Sequence, residues 1–154
     1  LLLFGGGLAI AKGFDVSGLS VWIGQQMQQA TDLSTPLVVG GIVASMTFLT
    51  EITSNTATTA ILMPIMADTA RGLQIHPLLL MIPATLAASC AFMLPVATLP
   101  NAIVFSTGRI PIRKMVLYGF AINLIGIILI TAIMLLWGIP LLAITPEKLP
   151  TWAG

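Results

Sequence analysis

Long apolar runs separated by short polar stretches organise this chain. A helix that crosses a membrane needs about 20 predominantly apolar residues for about 30 Å of hydrocarbon, so the spacing of charges marks the candidate spans. Residues 1–13 are apolar as far as Lys12-Gly13, too short to cross alone, and read as the end of a transmembrane helix. The chain opens Leu1-Leu2-Leu3, already inside an apolar run with no basic region ahead of it and no small-residue cleavage site, which is unlike a signal peptide. A fragment of a larger protein is therefore expected. Between Asp15 and Asp32 the apolar residues Val16, Leu19, Ile23, Met27 and Ala30 recur at steps of three and four, while Gln25, Gln26, Gln28 and Gln29 fall mostly elsewhere. That pattern predicts an amphipathic interfacial helix over 15–32, with Trp22 as its anchor.

Thr35-Pro36 predicts a helix start, Thr as cap and Pro at the first helical position. An apolar arm runs to about Leu49. The run Thr50-Glu51-Ile52-Thr53-Ser54-Asn55-Thr56-Ala57-Thr58-Thr59 then interrupts it, before Ala60 to Ala67 resumes and Arg71-Gly72 closes the stretch. Two readings compete for 35–71: one long helix with a polar waist, or a re-entrant hairpin with its tip at 54–56. The hairpin is favoured, because irregular backbone at membrane depth is tolerated where it lines a protein cavity, and hydroxyls and an amide are at hand to serve it.

His76-Pro77 opens the next segment, 76–108, which has no formal charge yet contains Pro83, Pro95 and Pro100. Each proline removes an amide donor and crowds the preceding turn, so Pro95-Val96-Ala97-Thr98-Leu99-Pro100-Asn101 breaks the helix into halves of about 77–94 and 101–107, with Gly108 as stop. Residues 115–138 make a last transmembrane helix, and the proline-spaced stretch 139–154 reads as an exposed C-terminal tail. Arg109, Arg113 and Lys114 lie within six residues of one another and place that loop in the cytoplasm. Alternation then puts the hairpin feet, with Asp68, Arg71 and His76, and the C-terminus outside.

Composition agrees with the bilayer as solvent. The 154 residues are 57% hydrophobic and 7% charged, with a mean hydropathy of +1.05, whereas soluble domains carry about 25% charge. A net charge of +1 offers no basic surface for nucleic acid. One cysteine and one histidine can build neither an intramolecular disulfide nor a structural zinc site.

Two non-helical polar elements thus meet at membrane depth, the Ser54-Asn55-Thr56 tip and the Ala97 to Asn101 break. Discontinuous helices near the midplane point to a transporter site, because half-helix N-termini favour anions while unwound carbonyls and half-helix C-termini hold cations. The first arm ends in carbonyls near Thr50 to Thr53, suited to sodium. The second begins with amide donors near Thr56 to Thr59, suited to carboxylate. The competing reading is that these polar side chains only join neighbouring helices.

The run Ser89-Cys90-Ala91-Phe92-Met93-Leu94-Pro95-Val96-Ala97-Thr98-Leu99-Pro100-Asn101-Ala102-Ile103-Val104 resembles the signature of the divalent anion:sodium symporter family, carriers of dicarboxylates, citrate and, in some members, sulfate. Ser54-Asn55-Thr56 is similar to that family's Ser-Asn-Thr motif in the second of two inverted repeats, and the resemblance runs from Leu3-Phe4-Gly5-Gly6-Gly7 to about Trp137. It implies an all-α integral membrane fold: a re-entrant helical hairpin plus a broken transmembrane helix, forming the second inverted repeat of an elevator-type transporter. A homodimer is implied, with the N-terminal half of the same carrier as the missing partner and sodium as the coupling ion. By the same resemblance Asn55, Thr56 and Thr98 contact a substrate carboxylate, while carbonyls near Thr50, Thr53 and Ala97, with the Asn55 side chain, hold one sodium. One departure stands out: many members read Thr-Pro-Pro-Asn where this chain has Thr98-Leu99-Pro100-Asn101.

The resulting expectation is sodium-coupled transport of a dianionic carboxylate, such as succinate or citrate, without a covalent step. The alternative is an ion or oxyanion carrier of related architecture, of the sodium/proton antiporter or arsenite type. Proton exchange favours intramembrane carboxylates, and Glu51 is the one available. An intramembrane enzyme needs paired acids, a nucleophile with its base, or metal ligands, and the spans offer none. Glu51 itself is expected either to pair with a polar neighbour or to take part in ion binding. Asn123 is expected to bond between helices, His76 to be a solvated loop residue, and Cys90 to serve packing.

Overall fold

The computed structural model describes residues 13, 16–18, 34–146 and 148–150. The expected transmembrane end at 1–13 and interfacial helix at 15–32 fall almost wholly outside the described residues, as do the last residues of the tail. Every regular element among the described residues is helical: α1 (Thr35–Thr50), α2 (Asn55–Gly72), α3 (Leu78–Ala88), α4 (Leu99–Ser106), α5 (Ile112–Ile133), a π-helical turn (Met134–Gly138) and α6 (Ile139–Leu141).

Pro36 occupies the first turn of α1, where no amide is needed. Thr35 is already helical and the capping position is Ser34, one residue earlier than expected; its carbonyl accepts from the Leu37 and Val38 amides at 2.8 and 3.2 Å. Val39, Val43, Met46, Thr47 and Thr50 form the buried stripe of α1, at the three and four spacing that keeps them on one face. Helix geometry lapses over 51–54. Ser54 is extended and its hydroxyl accepts from the Ala57 amide at 3.4 Å, starting α2, so Asn55 and Thr56 lie in a helical first turn rather than in a loop.

The two arms lie side by side. Leu37 through Leu49 and Leu62 through Thr69 line one apolar groove of about 520 Å³, whereas a single straight helix would separate Leu37 from Thr69 by about 48 Å. The chain therefore doubles back at 51–54. Both arms pack on α3, which buries Leu79, Leu80, Pro83, Ala84, Ala87 and Ala88 and forms the centre of the bundle. α1 runs antiparallel to α5: a methyl on Gly40 would lie 3.7 Å from the Thr131 hydroxyl, the Phe48 and Phe120 rings are 5.9 Å apart, and Glu51 at the end of α1 meets Asn123.

α3 ends at Ala88, six residues short of the expected 94, and an irregular segment runs from Ser89 to Thr98. Its cause is a contact from outside the segment: the amides of Phe92, Met93 and Leu94 bond to the Glu51 carboxylate and so are withdrawn from the helical ladder. Pro95 then forbids resumption. α4 starts at Leu99, with Thr98 extended as its cap and Pro100 in its first turn, and none of its residues is buried. Gly108 holds φ +69°, the left-handed conformation that glycine adopts without penalty, just past that helix.

α5 begins three residues earlier than the expected 115 and continues through the π-helical turn and α6, giving 30 residues from Ile112 to Leu141. At about 1.5 Å per residue this is long enough to cross a bilayer, and among the described residues it is the one helix with the length and composition to do so. Two expectations need correction here. The tail beyond 138 is not uniformly exposed: 139–141 remain helical, and Ile144, 4% exposed, joins the core. Nor is His76 solvated. It is buried, its amide donates to the Pro146 carbonyl at 3.4 Å and its Nδ1 accepts from the Leu78 amide at 3.3 Å, because the tail folds over the start of α3.

Candidate binding cleft

The hairpin turn and the helix break face each other across a cleft of about 590 Å³, lined by Ile52 to Thr56 on one side and by Pro95 to Leu99 with Ala102 on the other. Of the residues singled out in sequence, Thr53, Asn55, Thr56, Ala97 and Thr98 all line it. Thr50 does not. Its side chain is fully buried and donates to the Thr47 carbonyl at 3.0 Å, so only its main-chain oxygen remains a candidate ligand. Asn55 and Thr56 also line a second cleft of about 450 Å³, with Thr59, Ala60, Met63, Thr85 and Ser89.

The chemistry of the cleft comes from three helix ends, the C-terminal end of α1 and the starts of α2 and α4. Thr53 donates to the Leu49 carbonyl at 2.7 Å; its oxygen lies 2.7 Å from that of Thr58, which leaves Thr58 as the donor of that pair. The carbonyls of Thr50, Thr53 and Ala97 take no hydrogen bond from other described residues. They are open acceptors for a hard cation. Asn55 Oδ1 is buried and has no hydrogen-bond partner among the described residues, which leaves a polar acceptor available at the cleft. On the opposite wall, Thr98 Oγ1 accepts from the Asn101 amide at 3.3 Å, and its proton is left to donate into the cleft. Oxygen acceptors and N-terminal donors thus stand together.

Behind the cleft, Glu51 is 4% exposed and Asn123 fully buried. Glu51 Oε1 accepts from the Phe92 and Met93 amides at 2.8 and 3.0 Å and from Asn123 Nδ2 at 2.7 Å; Oε2 accepts from the Met93 and Leu94 amides at 3.1 and 3.0 Å. Of the two roles weighed for Glu51, this geometry is polar pairing, and Asn123 makes the interhelical bond expected of it. Asn101 completes the joint from the other side, its Nδ2 donating to the Ala91 and Leu94 carbonyls at 2.9 and 3.0 Å. No role for Asn101 was read from the sequence, although an amide directly after a proline break was the available signal.

Gly119 is the other residue that sequence reasoning passed over. It sits on α5 against the irregular segment, and a methyl there would collide with the Phe92 carbonyl oxygen and come within 2.6 Å of the Met93 Cα. Backbone cannot step aside as a flexible side chain can. Gly119→Ala is therefore expected to lower stability by about 3 kcal/mol, the upper part of the range for overpacking. Gly126→Ala, with nothing within 4 Å, should be neutral or slightly stabilising. Melting temperatures of the two variants in detergent make the comparison, and equal values would show that the segment does not press on α5.

Comparison with known proteins points in one direction. A family model described as the sodium:sulfate symporter transmembrane region matches residues 1–144. The sodium-dependent dicarboxylate transporter SdcS of Staphylococcus saprophyticus is 50% identical over 144 residues, 94% of this chain and 28% of that protein. Solute carrier family 13 member 2 is 47% identical in Mus musculus and 45% in Homo sapiens, in each case over 99% of this chain and 26% of the relative. The chain thus spans 26% to 28% of the length of these relatives.

Proposed function

Because the chain belongs to the divalent anion:sodium symporter family, we propose that it is part of a longer carrier that moves a dianionic carboxylate, such as succinate or citrate, across the cell membrane together with sodium. The observation that carries this reading is the convergence of hairpin turn and helix break on one cleft, with open carbonyls and the unpartnered Asn55 Oδ1 beside N-terminal donors. Asn55, Thr56 and the Thr98 hydroxyl serve the carboxylate. The carbonyls of Thr50, Thr53 and Ala97, with Asn55 Oδ1, serve one sodium. A proton-exchanging carrier would need an intramembrane carboxylate facing the cleft. Both Glu51 oxygens are turned to N–H donors, which weighs against that alternative.

The membrane arrangement is a re-entrant hairpin whose tip stops partway along α5, with the loop 108–114 in the cytoplasm and the C-terminus outside. Two contacts support it. The Glu51–Asn123 bond sets the tip beside the interior of the spanning helix, and the bond from His76 to Pro146 sets the hairpin foot at the end of α5 remote from Arg109, Arg113 and Lys114. Elevator motion of this part against a scaffold, in a homodimer completed by the other repeat, follows from the same reading. Its test is uptake of labelled succinate by the full-length carrier in liposomes under an inward sodium gradient. Uptake should vanish when choline replaces sodium; uptake that continued without sodium, or no uptake of succinate or citrate at all, would overturn it.

A further inference from the structure

We propose that Glu51 is the positioning residue of the cleft, the pin that sets the gap between the hairpin turn and the helix break. The proposal rests on the cleft being the substrate site, but its geometry stands independently. Glu51 directly precedes Ile52, the first residue of one wall, and Leu94 directly precedes Pro95, the first residue of the other. Between them lies a carboxylate whose two oxygens receive three consecutive amides and the Asn123 side chain. Among the described residues α4 buries none of its own, Asn101 ties that helix to the same 91–94 segment, and that segment is held by the Glu51 bonds and by its packing on Gly119.

The chemistry requires a carboxylate rather than an amide. An ionised carboxylate presents acceptors alone, and every neighbour here is a donor. In Glu51→Gln one oxygen becomes an NH2 group that faces backbone N–H, so at least one amide of the segment loses its partner inside an apolar bundle. The second wall is then free to drift, and Asn55 and Thr98 no longer meet one ligand at a fixed spacing. Glu51 touches neither sodium nor substrate. Its effect passes through the positions of Asn55 and Thr98.

The test uses the full-length carrier in a cysteine-free background, with spin labels at Ser45 on α1 and Ile103 on α4, both outside the cleft. In Glu51→Gln the distance distribution should broaden, and half-saturating succinate and sodium should rise in parallel by about tenfold, with a smaller change in maximal rate. Asn123→Ala keeps the carboxylate and its amides but removes one donor; the same shifts should appear at about threefold, and this variant decides the matter if Glu51→Gln does not reach the membrane. An unchanged distance distribution, or unchanged half-saturation in folded variant protein with only a lower melting temperature, would overturn the proposal. If the wild-type carrier took up no succinate, the substrate reading would fall, and the distance comparison would still decide whether Glu51 sets the gap.

Discussion

Asn55→Ala in the full-length carrier is expected to raise the half-saturating concentrations of sodium and succinate together, by about 10-fold to over 100-fold, the equivalent of a lost hydrogen bond to a charged group. The coupling follows from position: Asn55 lies in the first turn of α2, lines both clefts and carries a buried oxygen without a partner among the described residues. Thr98→Ala should behave differently. Its hydroxyl stands on the opposite wall as a cap and outward donor, so the succinate requirement should rise while the sodium requirement changes little. Loss of the cap also removes about 1 kcal/mol from α4, visible as a modest drop in melting temperature. Equilibrium binding of sodium and succinate to folded protein makes the comparison. Unaltered binding in both variants would mean that these polar residues only join helices.

Cysteine introduced at Ile110 of an otherwise cysteine-free full-length carrier should react with an impermeant maleimide only from the cytoplasm, and cysteine at Gln74 only from outside. Arg109, Arg113 and Lys114 favour retention on the cytoplasmic side, and Gln74 belongs to the loop that ends at His76, which the tail clasps at the far end of a 30-residue helix. The outcome is close to all or none. Labelling of both positions from the same side would remove the re-entrant arrangement.

Both interruptions of helix were legible in the sequence, because local chemistry marks them: a run of hydroxyls and one charge at 50–59, and two prolines at 95 and 100. The candidate residues of the cleft were legible for the same reason, by way of the family motifs those interruptions contain. What escaped depends on contacts between residues distant in sequence. The early end of α3 is imposed by Glu51, 41 to 43 residues away from its amide partners. His76 is buried by a tail 70 residues downstream, and nothing in the proline-spaced tail distinguishes Ile144, which packs, from Leu141, which is exposed. Gly119 was silent because a glycine within an apolar span has many uses, and only the approach of Phe92 and Met93 selects among them.

Glu51 holds the 92–94 segment by main chain alone, which separates two kinds of evolutionary freedom. Phe92, Met93 and Leu94 can each be exchanged for any residue that keeps an amide hydrogen, proline being the one exclusion, without altering what Glu51 holds. Diversification of that segment's surface is therefore available to a lineage of such carriers while the geometry behind it stays fixed. Glu51 and Gly119 have no such latitude, one because among the described residues it supplies the acceptors for those amides and the other because no methyl fits.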